Sequence, residues 1–305
     1  MLIFMPTDPR LQRAYTALIG LSVGDAYGNH HGYNHRKHSA VTWEYSDDTQ
    51  MALSIYAQLR RYGEIRQDEL AQQFALRREG KRGYGQGVTR LFKAIASGGD
   101  WRALSIGMFE GTGSYGNGAA MRIAPLGAYF ADDTEMLIAQ AEKSAVVTHA
   151  HPEGIAGGIA VTMAAAIVTN ARQQPHALTR ETFLSAILSR MPPSEIRRKL
   201  EKALALNPTT TPHEASKRLG NGRPSIAQMT VPFALWLAGS YLDDFQVAIE
   251  KTASVGGDID TNCAIVGSIV ASHTGLDQIP ADWLHRLETL PVWAFSDEED
   301  HESAD

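Results

Sequence analysis

The sequence predicts an all-α protein, a compact orthogonal multi-helix bundle. Three observations carry that expectation. Apolar residues recur at helical spacing along most of the chain, alternating strand patterns are scarce, and short glycine-rich stretches punctuate the helical runs. The one stretch with a strand-like pattern, Ala40 to Tyr45, is short.

The first helical run, Leu11 to Gly28, repeats apolar residues at Leu11, Tyr15, Leu18 and Ile19. The second, Asp48 to Tyr62, carries Met51, Leu53, Ile55, Tyr56 and Leu59, and Gly63 ends it. Helical stretches follow over Gln67–Arg77, Tyr84–Ser97, Ala119–Phe130, Thr134–Val147 and Pro152–Thr169. The second half continues with Arg180–Arg190, Ser194–Leu206, Ser225–Tyr241, Asp243–Ser254, Asp260–Thr274 and Pro280–Glu288. Glycine-rich breaks separate several of them, so the irregular loops are expected to carry the chemistry. No internal repeat of solenoid length is present.

The 305 residues are 44% hydrophobic and 20% charged, the ordinary composition of a globular protein. No linker divides them, which predicts one domain over residues 1–295 and a disordered acidic tail over 296–305. The formal charge of −6, without a basic block, argues against a nucleic-acid groove. Cys263 is the only cysteine, so no intrachain disulfide forms and a reducing, cytoplasmic setting is expected. The thiol reads as a small buried hydrophobe. The N-terminus is too short for a signal peptide, and no apolar run reaches membrane-spanning length. A monomer is the expected oligomeric state.

Two acidic clusters stand far apart, Ser46-Asp47-Asp48-Thr49 and Gly256-Gly257-Asp258-Ile259-Asp260-Thr261. Each pairs close carboxylates with a hydroxyl and opens an apolar helical run. Taken alone, Ser46 and its neighbours could simply cap a helix. Capping needs only one such residue, however, and adjacent carboxylates repel each other. Four carboxylates in one pocket would carry about four negative charges, which two divalent cations would neutralise. Oxygen-only donors point to Mg²⁺ or Mn²⁺ rather than zinc. The metal set is therefore Ser46, Asp47, Asp48, Asp258, Asp260 and Thr261. Asp25, read as the end of the first helix, is expected to orient ligands or cap the next segment.

Between them lies Gly113-Ser114-Tyr115-Gly116-Asn117-Gly118, a loop whose backbone N–H groups could cradle a phosphate. Ser114 and Asn117 add side-chain donors, and Tyr115 offers a ring for stacking. Gly256 and Gly257 would let backbone approach a ligand. His149 and His151 lack the further ligands of a closed zinc site, so one capping histidine and one ligand contact is the better reading. His30, His31, His35 and His38 sit in a polar loop at the mouth of the expected site.

These motifs, in this order, resemble the ADP-ribosylglycohydrolase family, which includes dinitrogenase-reductase-activating glycohydrolases and ADP-ribosylarginine and ADP-ribosylserine hydrolases. The resemblance rests on GDAYG (24–28), SDDTQMALS (46–54), RGYGQG (82–87), GSYGNGAAMRIAPLGAYF (113–130), SAVVTHAHPEGIAGGIA (144–160) and SVGGDIDTN (254–262). It implies an all-α domain with two Mg²⁺ or Mn²⁺ ions on the metal set above. It also implies an ADP-ribose loop at Ser114, Tyr115, Gly116 and Asn117, with His149 beside the ligand.

One departure stands out: the family's glutamate shortly after the first motif is missing, and the chain reads Asn29-His30-His31-Gly32-Tyr33. The expected enzyme hydrolyses the bond between ADP-ribose and an acceptor, arginine on a protein being the first candidate. Asp47 or Asp48 would orient the attacking water. Either His30 or His31, with His31 the first candidate, takes over acid–base work, or metal-bound water and an aspartate suffice, or activity is reduced. The partner is an ADP-ribosylated protein or a small ADP-ribose conjugate. The alternative is a non-catalytic ADP-ribose-binding protein that lost its chemistry with the glutamate.

Overall fold

The computed structural model describes residues 5–32, 42–172 and 178–296. Sixteen α-helices and no β-strand occur among them. The N-terminal half contains α1 (Pro9–Gly32), α2 (Asp47–Tyr62), α3 (Gln67–Leu76), α4 (Gln86–Ala96) and α5 (Trp101–Gly111). Two short helices, α6 (Gly118–Met121) and α7 (Ala124–Tyr129), lead to α8 (Thr134–Val146) and α9 (Pro152–Ala171). Then come α10 (Arg180–Leu188), α11 (Glu195–Leu204), α12 (Pro212–Leu219), α13 (Ala227–Ser240), α14 (Phe245–Ala253), α15 (Ile259–Thr274) and α16 (Ala281–Arg286).

The centre of the molecule is the pair α1 and α15. Both are buried over most of their length, which is why neither shows a strong polar face. Small residues let their backbones touch. A Cβ added at Gly24 would lie 2.2 Å from the carbonyl oxygen of Cys263, and one at Gly28 would lie 2.6 Å from Cα of Asp260. Any side chain at either position would push the helices apart. The GDAYG segment is therefore a packing surface as well as a motif.

Around this pair the core is continuous, with Leu18, Leu21, Leu53, Phe92, Phe183, Phe233, Trp236 and Phe245 almost wholly buried. Each such side chain contributes roughly 1.5–3 kcal/mol by leaving water. Contrary to expectation, α9 is long and apolar enough to cross a membrane. Its residues are mostly buried within the protein against α7, α8 and α13, so it reads as a core helix.

Several sequence expectations need correction. The first helix does not end at Gly28 but runs to Gly32, so Asp25 lies inside it and His30 and His31 form its last turn. His35 and His38 lie outside the described residues. The strand-like stretch reduces, among the described residues, to one isolated bridge between Trp43 and Leu287. Ala119–Phe130 is two helices, because Pro125 has no N–H to continue the ladder and the chain re-starts at Ala124. Helix α5 was not anticipated. Neither was α12, although its capping box, Thr211 with Glu214, was readable.

Candidate active site

Helix α1 places both acidic clusters. Oδ2 of Asp25 accepts hydrogen bonds from Ser46 N (2.9 Å), Thr49 N (3.1 Å) and Thr49 Oγ1 (2.5 Å). A carboxylate buried in α1 thus caps α2 from outside, alongside Ser46, whose Oγ accepts from Asp48 N at 3.2 Å. One turn further along, Gly28 rests against Asp260 at the start of α15. The same helix therefore fixes Asp47 and Asp48 on one side and Asp258 and Asp260 on the other.

The clusters meet on the wall of a cavity of about 610 Å³. Ser46, Asp47, Asp48, Asp258, Asp260 and Thr261 all line it, facing Ser114, Tyr115, Gly116, Asn117 and His149. Three expected residues do not. His31 stacks on Tyr27 with ring centroids 3.9 Å apart, and its Nδ1 lies 2.8 Å from the Tyr27 carbonyl oxygen, away from the cavity wall. Gly256 and Gly257 also lie off the wall. They serve the turn itself: both have positive φ, and a Cβ at Gly257 would stand 2.0 Å from the Asn221 carbonyl oxygen.

The loop 220–226 ties the second acidic turn to the ligand loop. The Asn221 carbonyl oxygen accepts from Asp258 N (3.0 Å) and from Asn262 Nδ2 (2.9 Å). A few residues on, Ser225 O accepts from Asn117 N (3.3 Å), and Ala227 N donates to Tyr115 O (3.0 Å). Asn117 is committed too, its amide donating to Asp258 Oδ2 (2.8 Å) and Thr230 Oγ1 (3.0 Å). Its side chain couples the two halves of the site rather than waiting for a phosphate. Gly116 N donates to Ser114 Oγ at 3.2 Å, which leaves the Ser114 hydroxyl hydrogen and the first N–H groups of α6 as donors for an anion.

Electrostatics make the carboxylate set unstable by itself. Burial, and then the neighbouring Asp25, push Asp47 up to about 8. Burial and the surrounding aspartates raise Asp48 well above the usual carboxylate range, and burial and Asp258 do the same to Asp260. Three buried carboxylate oxygens, Asp25 Oδ1, Asp48 Oδ2 and Asp260 Oδ1, have no hydrogen-bond partner among the described residues. Unpaired oxygens, mutual repulsion and an all-oxygen donor set are what a pair of hard cations would relieve. Among the described residues no three His, Cys, Asp or Glu side chains form a ready-made cage, so hydroxyls and water would complete any coordination. The residues present fit divalent cations.

Of the two histidines, one is the expected cap. His151 caps α9, its Nδ1 accepting from Glu153 N at 3.0 Å. His149 is buried on the cavity wall beside the glycine loop, where a Cβ at Gly118 would come within 2.6 Å of its ring. Burial, with Arg122 next, lowers His149 to about 3, so it is neutral at neutral pH.

Other wall residues were not foreseen, notably Phe109, Lys81, Arg82 and Ile226. Helix α5 breaks at Met108, and Phe109 and Glu110 both adopt positive φ, a strained conformation for such residues. This turn sets the Phe109 ring 6.4 Å from that of Tyr115 at the cavity edge, both rings partly exposed. No local sequence signal announces a left-handed phenylalanine.

The family model for ADP-ribosylglycohydrolase matches residues 6–303. ADP-ribosylhydrolase ARH3 of Xenopus tropicalis is 29% identical over 84% of this chain and 79% of its own length. The Homo sapiens ARH3 is 27% identical, with 80% and 74% covered. The ADP-ribosyl-[dinitrogen reductase] glycohydrolase of Rhodospirillum rubrum is 26% identical over 90% of each chain. A solved ADP-ribosylglycohydrolase-related protein complex shares the fold with a TM-score of 0.65 at 23% identity, covering 92% of this chain and 93% of that one.

Proposed function

Because the chain belongs to the ADP-ribosylglycohydrolase family, whose chemistry is hydrolysis of ADP-ribose linkages, we propose that this enzyme cleaves the bond from the distal ribose to an acceptor with two divalent cations bound. The observation that carries this reading is the meeting of two aspartate pairs, about 210 residues apart in sequence, on one cavity wall opposite the Ser114–Asn117 loop.

Ser46, Asp47, Asp48, Asp258, Asp260 and Thr261 would hold the cations. When bound, Mg²⁺ or Mn²⁺ supplies Lewis acidity and charge neutralisation. Asp47, half-buried at the cavity surface, orients the attacking water and takes its proton. The surrounding carboxylates stabilise the oxocarbenium-like carbon as the bond breaks. Ser114 and the start of α6 receive the diphosphate, and neutral His149 backs the loop against the ribose. Tyr115 and Phe109 offer faces for the adenine.

An arginine acceptor is the first candidate from the sequence. The proposal is tested by following release of ADP-ribose from ADP-ribosylated substrates with Mg²⁺, with Mn²⁺ and in excess EDTA. Turnover should depend on the cation; undiminished turnover in EDTA overturns the metal-dependent reading. Binding of ADP-ribose by calorimetry without turnover on any linkage would instead favour the non-catalytic alternative.

A further inference from the structure

A second depression adjoins the candidate active site. It is a groove of about 520 Å³ between α4 and α5, and Gly87, Met108 and Phe109 border both it and the first cavity. The break in α5 at Met108 and Phe109 therefore stands between two connected hollows.

Leu91, Ala94, Leu104 and Met108 make the groove apolar, and among the described residues Arg90 is the only charged side chain on it. The Arg90 side chain is exposed and forms no hydrogen bond or ion pair with a described residue. Nor does that of Lys93, one turn further along α4. Arg102, in α5, is engaged by Asp68 at 2.7 Å. Residues 86–109 hold these three cations and a single acid, Asp100, in a chain whose net charge is −6. Asp100 is occupied as the cap of α5, accepting from Arg102 N at 3.1 Å. Ile106 and Phe109 are both more than half exposed, so apolar surface continues around the groove.

The groove also lies close to the chemistry. Gly83, whose added Cβ would stand 3.6 Å from Asp47 Oδ1, and Gly87 are four residues apart. At about 3.3–3.6 Å of reach per residue, no more than ~15 Å of backbone separates the proposed cation set from the groove. A polypeptide whose modified residue enters the acidic end can cross this loop and lay its side chains between α4 and α5. The lining also selects the occupant. A nucleotide needs partners for its base and sugar hydroxyls, and apart from Arg90 no described side chain on the groove forms hydrogen bonds. Aliphatic side chains match the walls, and carboxylates match Arg90 and Lys93.

Resting on the hydrolase reading above, we infer that the groove between α4 and α5 docks the acceptor polypeptide itself, taking a segment with aliphatic and acidic residues close to the ADP-ribosylated one. Apolar burial supplies the affinity, and Arg90 selects by charge.

The test compares kcat/KM for peptides ADP-ribosylated on arginine or on serine and flanked by about eight residues, enough to span the loop and fill the groove. The flanks are Leu-Glu, Leu-Lys or Gly-Ser repeats, and ADP-ribosylarginine and ADP-ribosylserine serve as small substrates. Wild type should prefer Leu-Glu to Gly-Ser flanks by about tenfold, chiefly through KM. Arg90→Glu should lose that preference and favour Leu-Lys flanks instead. Gly107→Phe fills the groove from a position where a Cβ meets nothing within 4 Å, and should remove the advantage of every apolar flank. Both variants should turn over the small substrates like wild type. Equal kcat/KM on Leu-Glu and Gly-Ser flanks in wild type, or a preference that neither variant moves, overturns the inference and leaves the hydrolase reading intact. If no linkage is hydrolysed, the hydrolase reading falls and fluorescence anisotropy of a labelled, unmodified Leu-Glu peptide decides the groove. Binding that Arg90→Glu abolishes upholds the docking site; no binding, or binding indifferent to Arg90→Glu, overturns it.

Discussion

Asp25 reaches from the middle of α1 to accept the Thr49 hydroxyl at 2.5 Å and the Thr49 N–H at 3.1 Å. This contact joins the central helix to the start of α2, where Asp47 and Asp48 begin the site. Asp25→Ala would strand three buried donors and should cost about 2–4 kcal/mol. Asp25→Asn keeps an acceptor oxygen and should cost less. Urea unfolding read together with Mn²⁺ affinity checks this: both should fall in Asp25→Ala, whereas wild-type affinity there would separate the cap from the site.

The close approach of α1 and α15 makes Gly24 intolerant of even a methyl group. Gly24→Ala sets a carbon against the Cys263 carbonyl, which is backbone and cannot rotate aside. The expected loss is about 3 kcal/mol or more. Gly107→Ala, where a Cβ would meet nothing within 4 Å, is the control and should melt like wild type.

Removing one acid from the cluster should have opposite effects on stability and activity. Asp260→Asn relieves buried repulsion, so without metal the variant should melt at or above the wild-type temperature. It should also lose hydrolysis and the melting-temperature rise given by Mn²⁺. An Asp260→Asn protein that hydrolyses substrate at the wild-type rate would remove Asp260 from the site.

The sign of the pH effect follows from the raised carboxylates. A group with a raised folded pKa stabilises the fold below its unfolded value, near 4. That contribution is lost as pH rises through the folded value, about 8 for Asp47. Metal-free protein should therefore lose stability from this source between about pH 4 and pH 8. The thermal shift given by Mg²⁺ or Mn²⁺ should be larger at pH 8 than at pH 5; an equal shift at both counts against the cluster being its origin.

His149 acts in the opposite direction. Its folded value is lowered to about 3, so between that and about 6.5 the unfolded chain binds the extra proton. Stability from this source rises with pH across that window, by up to ~1.4 kcal/mol per unit. Comparing wild type with His149→Gln in urea at pH 4.5 and pH 7 isolates it. The gap in favour of wild type should widen at pH 7.

The aromatic edge should matter for binding before chemistry. Tyr115→Ala or Phe109→Ala should weaken ADP-ribose binding by about 1–3 kcal/mol each, the usual worth of a base stacked on an aromatic ring. Calorimetry with ADP-ribose measures this, and unchanged affinity in both variants would place the adenine elsewhere.

Much of this was legible in the chain. The helical periodicity, the two acidic clusters and the glycine loop are local patterns, because a helix face, a cap and a turn are each set within a few residues. So the sequence alone determined the all-α class and the acidic and glycine-loop residues that line the cavity, and it also supported family membership.

Tertiary structure decided the rest, because those features depend on which distant backbones touch. Only packing of Gly24 and Gly28 on α15 turns Asp25 into a cap for α2 and draws Asp47 toward Asp260. Only the strained turn after α5 brings Phe109 to the edge, and only the end of α1 turns His31 onto Tyr27 instead of into the cavity. Lys81, unremarkable in a basic dipeptide, gains its place beside Asp47 because Glu288, more than 200 residues away, anchors Arg82 next to it.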